Sequence, residues 1–186
     1  NDITAVLVNY ALCPTVNIDE IVRQSRAAVA WTYRNAETFG GNPERISVSG
    51  HSAGGHLTGM LLTAEWEKDY GLPVNLINGF LPVSGLFDLA PFPFSWLQPE
   101  LQLTSEEVLR NSPLLLKPVY SPPVIVAVGA DESQEFQRQS EVYAKYLQKY
   151  GVPVEYQLIP EKNHFNIIHD YLGDGGPLCK KIIEWK

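Results

Sequence analysis

At 186 residues, 45% of them hydrophobic and 11% aromatic, the chain holds enough material for one domain with a substantial core. A formal charge of −7 opposes phosphate backbones, and no stretch gathers Lys and Arg on one face, which argues against nucleic acid as a partner. No apolar run reaches the roughly 18 residues of a membrane span, so a membrane partner is not expected either. Cys13 and Cys179 have neither zinc-ligand nor disulfide-framework spacing, a pattern that fits a cytoplasmic protein without a metal.

In chain order, Ile3–Asn9 reads as a buried strand with nothing before it, and the chain is therefore expected to be incomplete at its N-terminal side. Asn17–Phe39 follows as a helix whose stripe is Ile18, Ile21, Val22, Ser25, Val29 and Thr32, stopped by Gly40-Gly41-Asn42-Pro43. Strands are expected at Arg45–Gly50, Leu76–Val83, Val124–Gly129 and Val154–Ile159. Ser133–Tyr150 forms a helix facing inward with Phe136, Ser140, Tyr143 and Leu147 and ended by Gly151; Pro177–Trp185 forms the last one.

Most of these strands are continuous Val/Ile/Leu runs, as in a parallel sheet covered on both faces, and strand–helix alternation implies a doubly wound α/β fold. Sites in such folds gather at the carboxyl ends of the strands. Residues 86–121 break the rhythm with prolines and the aromatic cluster Phe87, Phe92, Phe94 and Trp96, and read as a cap-like insertion over the site within a single domain, 1–186.

The chemistry centres on Gly50-His51-Ser52-Ala53-Gly54-Gly55, a G-x-S-x-G placed between a buried strand and a helix. A serine on so sharp a turn needs glycine two residues to either side, and Gly50 and Gly54 supply it. The helix that begins there also points free amides at the reaction site, with the Ala53 N–H as an oxyanion donor. Ser52 is a weak nucleophile unaided and needs a base held by an acid. The strand Val124–Gly129 ends in Ala130-Asp131-Glu132, giving Asp131 as the acid, Glu132 as the fallback and a helix cap as the plain reading of Asp131. The last strand leads to Asn163-His164, making His164 the base. His51 is expected to pack locally, His56 and His169 carry no special signal, and Glu161 and Lys162 read as a solvated loop pair.

Motifs along nearly the whole chain carry a family resemblance. Asn9-Tyr10-Ala11-Leu12-Cys13-Pro14, Phe39-Gly40-Gly41-Asn42-Pro43-Glu44-Arg45-Ile46, the serine turn through Leu57, Ser84-Gly85-Leu86-Phe87-Asp88-Leu89, and the segments after Gly129 and after Lys162 resemble the α/β-hydrolase family that includes kynurenine formamidase and hormone-sensitive-lipase-like esterases. The resemblance implies an α/β-hydrolase fold lacking early strands, a Ser-His-Asp triad of Ser52, His164 and Asp131, no cofactor, and cleavage of an aryl formamide such as N-formylkynurenine through an acyl-enzyme. It also implies an H-G-G oxyanion motif ahead of Asn9, and none occurs in this sequence.

Phe92, Phe94 and Trp96 are the candidates to pack on an aryl ring, with Tyr10 and Asp88 beside strand ends. The partner expected is a small-molecule substrate, and the reading leaves room for a homodimer. A short-acyl carboxylesterase, an inactive fragment lacking the oxyanion element, and a binding module built on the proline-rich insertion are the rival readings.

Overall fold

The computed structural model describes residues 2–173 and 175–185. Its first helix, α1 (Ile18–Asn35), starts where Asn17 accepts the Glu20 amide, with Asp19 and Glu20 favourably placed at the positive end of the helix dipole. Ile21, Val22, Ser25, Val29 and Ala30 form its buried stripe, while Ile18 and Thr32 are half-buried at the margin. A 3-10 turn follows, and Gly40 ends it at φ 80°, a left-handed conformation open to glycine at little cost.

The chain continues through β1 (Ile46–His51), α2 (Ala53–Leu62), α3 (Trp66–Tyr70), β2 (Ile77–Val83), α4 (Gln98–Leu101), α5 (Ser105–Asn111), β3 (Val124–Gly129), α6 (Gln134–Lys149), β4 (Val154–Ile159) and α7 (Pro177–Glu184). The four strands are all parallel and lie in sequence order, β1-β2-β3-β4. Each successive pair is joined by a helical crossover, as parallel pairing requires. The central strands are buried on both sides: Val124 and Val126 of β3 meet Phe80, Tyr143 and Leu147, whereas Ile125 and Ala127 meet Leu81, Val83, Ile167 and Leu178. This two-sided burial is the reason β3 has no polar alternation.

One expected strand does not form. Residues 3–9 join no ladder, and Leu7 is 93% exposed. Between this segment and the open edge of β1 lies a cavity of about 330 Å³, lined by Ile3, Val6, Val8, Ser47 and Val48 among others. A ladder needs backbones about 4.8 Å apart; residues 3–9, all exposed, pair with no strand of the sheet.

Residues 86–121 hold α4, α5 and short 3-10 turns around a small core of Leu89, Leu103 and Val108. Thr104 and Glu107 close a capping box at the start of α5. Arg110 and Asn111 hold Asp19 of α1 at 2.6 and 2.8 Å, fastening this segment to the main body. Phe87 belongs to the principal core instead, stacked on Tyr143 with ring centroids 4.1 Å apart. From α2, the buried His56 imidazole bonds the Asn111 carbonyl at 2.7 Å, and burial pushes its pKa down to about 4. No helix among the described residues is long and apolar enough to cross a membrane.

Two measurements probe this packing. Phe87→Ala is expected to cost about 3–5 kcal/mol in urea unfolding, against at most about 0.5 kcal/mol for Phe94→Ala at a position 92% exposed. His56 binds its proton more readily unfolded than folded. Stability is therefore expected to fall as pH drops from about 6.5, the ordinary histidine value, to about 4, and His56→Gln is expected to flatten that part of the profile.

Candidate active site

β1 ends at His51 and α2 begins at Ala53, leaving Ser52 alone on the turn at φ 57°, ψ −114°. Such a positive φ is strained for a residue with a Cβ. It is held in place because the Ser52 amide donates to the Val83 carbonyl at 2.9 Å and the Ser52 carbonyl accepts from the His56 amide at 3.1 Å. Gly50 is required, since a Cβ there would fall on the Gly54 carbonyl. Gly55 is the second close approach: its Cβ would lie 2.7 Å from the Gly85 Cα and 2.8 Å from the Val83 oxygen. Gly54, expected from the motif to be equally confined, faces open space. The helix packs on β2 through the residue after the motif glycine. Ala53 is the first residue of α2, so its N–H is one of the donors that a helix leaves without an internal partner.

His164 arrives from the far side of the sheet. Its loop is locked by Asn163, whose side chain accepts the amides of Phe165 and Asn166 at 2.9 and 3.0 Å, while Asn166 in turn accepts the Asn163 amide at 2.7 Å. This puts the His164 Nε2 3.0 Å from the Ser52 Oγ.

The acid position falls to Glu132. Its Oε2 lies 2.7 Å from the His164 Nδ1, and its side chain is fully buried. The other oxygen accepts from the Ser84 hydroxyl at 2.5 Å and the Gly129 amide at 2.9 Å. Asp131, the residue expected here, is exposed, and the turn geometry explains the difference. The Asp131 amide donates to the Lys162 carbonyl at 2.9 Å, and the next residue, whose amide closes the turn onto the Gly129 carbonyl, folds its longer side chain back under the end of β3. Gly129 leaves room for that fold: a Cβ there would come within 3.2 Å of the Glu132 Cγ and collide with the Lys162 carbonyl. Nor does Asp131 cap the following helix, because Ser133 does so by accepting the Phe136 amide.

A carboxylate only accepts hydrogen bonds, so the tautomer that satisfies both contacts carries its proton on Nδ1 and leaves Nε2 to accept from Ser52. Two rings lie against this imidazole: His51 with centroids 4.5 Å apart and Phe136 at 4.3 Å. Burial, and then the charge of His164, lower the His51 pKa.

The remaining candidates scatter. Tyr10 packs half-buried against the core of Ile21, Val22, Leu57 and Met60. Phe94 and Trp96 are 92% and 84% exposed, whereas Phe92 lines a cleft with Phe136. Asp88 accepts the Ala90 amide in its own turn, and His169 is exposed. Lys162 does not pair with Glu161: its ammonium reaches the buried Asp170 carboxylate at 2.5 Å. Sequence reasoning missed Ser84, which sits at φ 49° just past β2. Its place directly after a buried strand, at the head of the Ser84–Leu89 motif, was the available signal. Phe136 was assigned to scaffold because its helical spacing is that of a core residue.

A strained serine between a parallel strand and a helix, with a histidine and a carboxylate brought from the ends of later strands, defines a class. The chain belongs to the α/β-hydrolase fold family, whose model matches residues 1–167. Among its relatives, it is 35% identical to a kynurenine formamidase of Salmo salar and 33% identical to one of Danio rerio, over 93% and 96% of this chain. It spans 58% and 61% of those two proteins. A solved structure assigned as a thioesterase, from Silicibacter, is 27% identical with a TM-score of 0.78, over 94% of this chain and 62% of that one.

The serine turn makes a clear distinction between neighbouring glycines. Gly54→Ala is expected to leave the urea midpoint unchanged or slightly raised, since alanine in a helix is favoured over glycine by about 0.5–1 kcal/mol. Gly55→Ala is expected to cost about 1–3 kcal/mol from overpacking.

Proposed function

We propose that the chain carries the catalytic machinery of a serine hydrolase that cleaves an aryl formamide such as N-formylkynurenine to kynurenine and formate. The observation that carries this reading is the relay from Ser52 to His164 at 3.0 Å and from His164 to a buried Glu132 at 2.7 Å. The likeness to kynurenine formamidases supports the choice of substrate.

In this reading Ser52 Oγ attacks the formyl carbon as its proton passes to His164 Nε2, and Glu132 stabilises the imidazolium through Nδ1. The oxygen of the tetrahedral intermediate takes negative charge towards the Ala53 N–H. The C–N bond then breaks, and His164 returns the proton to the departing aryl amine, leaving a formyl ester on Ser52. Water, deprotonated by His164, attacks that ester and releases formate and the free serine. The acid is Glu132, and Asp131 has no part in the relay. Ala53 supplies one oxyanion donor, and removing a single donor from such a site costs about 10²–10³ in turnover. The reading needs a small-molecule substrate as partner and places the reaction in the cytoplasm.

The second reading is ester or thioester cleavage by the same residues, favoured by the likeness to a thioesterase. Turnover of N-formylkynurenine and p-nitrophenyl acetate separates the two, and a tenfold or greater preference for the ester decides against the formamidase. A fluorophosphonate probe is expected to label Ser52, and an unlabelled serine marks an inactive site. Glu132→Gln is expected to lower kcat about 10⁴-fold, as amide replacement of a triad acid does elsewhere, while Asp131→Asn changes it less than twofold; the opposite ranking restores Asp131 to the relay.

A further inference from the structure

A cleft of about 140 Å³ opens at the ring that packs on His164. Leu86, Pro91, Phe92, Ser95, Phe136 and Gln139 line it, together with the start of α6. Phe136 thus has two contacts: it forms part of the cleft wall and lies 4.3 Å from the imidazole, with the two ring planes 30° apart.

The cleft offers mostly hydrocarbon, and the hydrogen-bonding groups of its Gln139 and Glu135 already have partners. The Gln139 oxygen accepts the Phe87 and Asp88 amides at 2.8 and 2.9 Å. Its nitrogen donates to Glu135 and to the Asp88 carbonyl, and both Glu135 oxygens are held by Arg138 at 2.7 Å. An occupant that asked these groups for new hydrogen bonds would have to break existing ones. An apolar occupant asks for none. The volume also sets a size, since a cavity of about 150 Å³ lined by Leu, Ile and Phe accommodates one benzene ring. Two phenylalanine side chains suit an aromatic guest by offset or edge-to-face packing.

We propose that this cleft receives the aryl part of the leaving group and that Phe136, shared between cleft and imidazole, is a positioning residue for His164. The inference rests on the acyl-transfer reading of Ser52 and His164 and deepens it. A ring seated in the cleft presses on Phe136 and restricts the His164 ring to the orientation that faces Ser52. An aliphatic leaving group fills the cleft less and gains less from it.

Phenyl acetate and ethyl acetate share one acyl group, so each variant is compared with the parent on both. Phe92→Ala is expected to raise KM for phenyl acetate about tenfold and to raise it at least threefold less for ethyl acetate; Phe92→Leu is expected to give a smaller shift in the same direction. Phe136→Ala is expected to lower kcat on both esters and raise KM on the phenyl ester alone, with Phe136→Tyr, which keeps the ring, restoring both. Equal losses on the two esters in Phe92→Ala, or an unchanged kcat for ethyl acetate in Phe136→Ala, overturn the proposal.

Binding provides a test that needs no turnover. Acetanilide, titrated by protein NMR into the Ser52→Ala variant, is expected to shift resonances of the cleft residues and to bind at least fivefold more weakly when Phe92→Ala is added. No binding, or equal affinity with and without Phe92, rejects the cleft. Discrimination between the esters without any cleavage of N-formylkynurenine rejects the formamide substrate and leaves the cleft standing.

Discussion

The carboxylate of Glu132 is taken wholly out of water, and a buried carboxylate is tolerable only when its lone pairs are occupied. Three parts of the chain meet that demand: the Ser84 hydroxyl past β2, the Gly129 amide at the end of β3, and the His164 imidazole past β4. Removing any one of these donors would leave the buried carboxylate with a lone pair unsatisfied. The need to satisfy one carboxylate therefore fixes the relative placement of three strand ends, and through His164 it fixes the orientation of the group that faces Ser52.

Close backbone approaches make that convergence possible. Gly50 lies against Gly54, Gly55 against Gly85, and Gly129 against Lys162, each at a distance that leaves no room for a Cβ. These contacts sit at the carboxyl ends of β1, β2 and β3, where the parallel sheet delivers successive chain segments to one rim. The strain of Ser52 at positive φ is sustained by the same packing, because its amide is anchored to Val83 at the end of the neighbouring strand.

The segment between β2 and β3 divides into two kinds of structure. Phe87 enters the main core, and α5 is fastened to α1 through Asp19. The intervening stretch carries Phe94 and Trp96 outward and, of its aromatic rings, turns Phe92 towards the cleft beside α6. The aromatic cluster that reads as a unit in sequence is thus distributed over core, cleft wall and surface. Burial of each side chain follows its place in the path of the backbone, which composition does not encode.

The serine turn, the parallel character of the sheet, the main helices and the histidine were legible in the sequence because each rests on local signals: glycine spacing, uninterrupted β-branched runs, a 3.6-residue period, and position after a strand. The end of α1 and the span of α6 were read to within a few residues for the same reason. Other features were decided only when distant segments met. Asp131 and Glu132 are adjacent carboxylates after one strand, and choosing between them required the Lys162 carbonyl to claim one amide and Ser84 to wait beside the other's side chain. Ile3–Asn9 has the composition of a strand, yet it joins no ladder and lies exposed, with a cavity between it and β1. Sequence specified the candidate side chains; contacts across 48 and 112 positions of chain, between Ser84 and Glu132 and between Ser52 and His164, determined which of them are brought together.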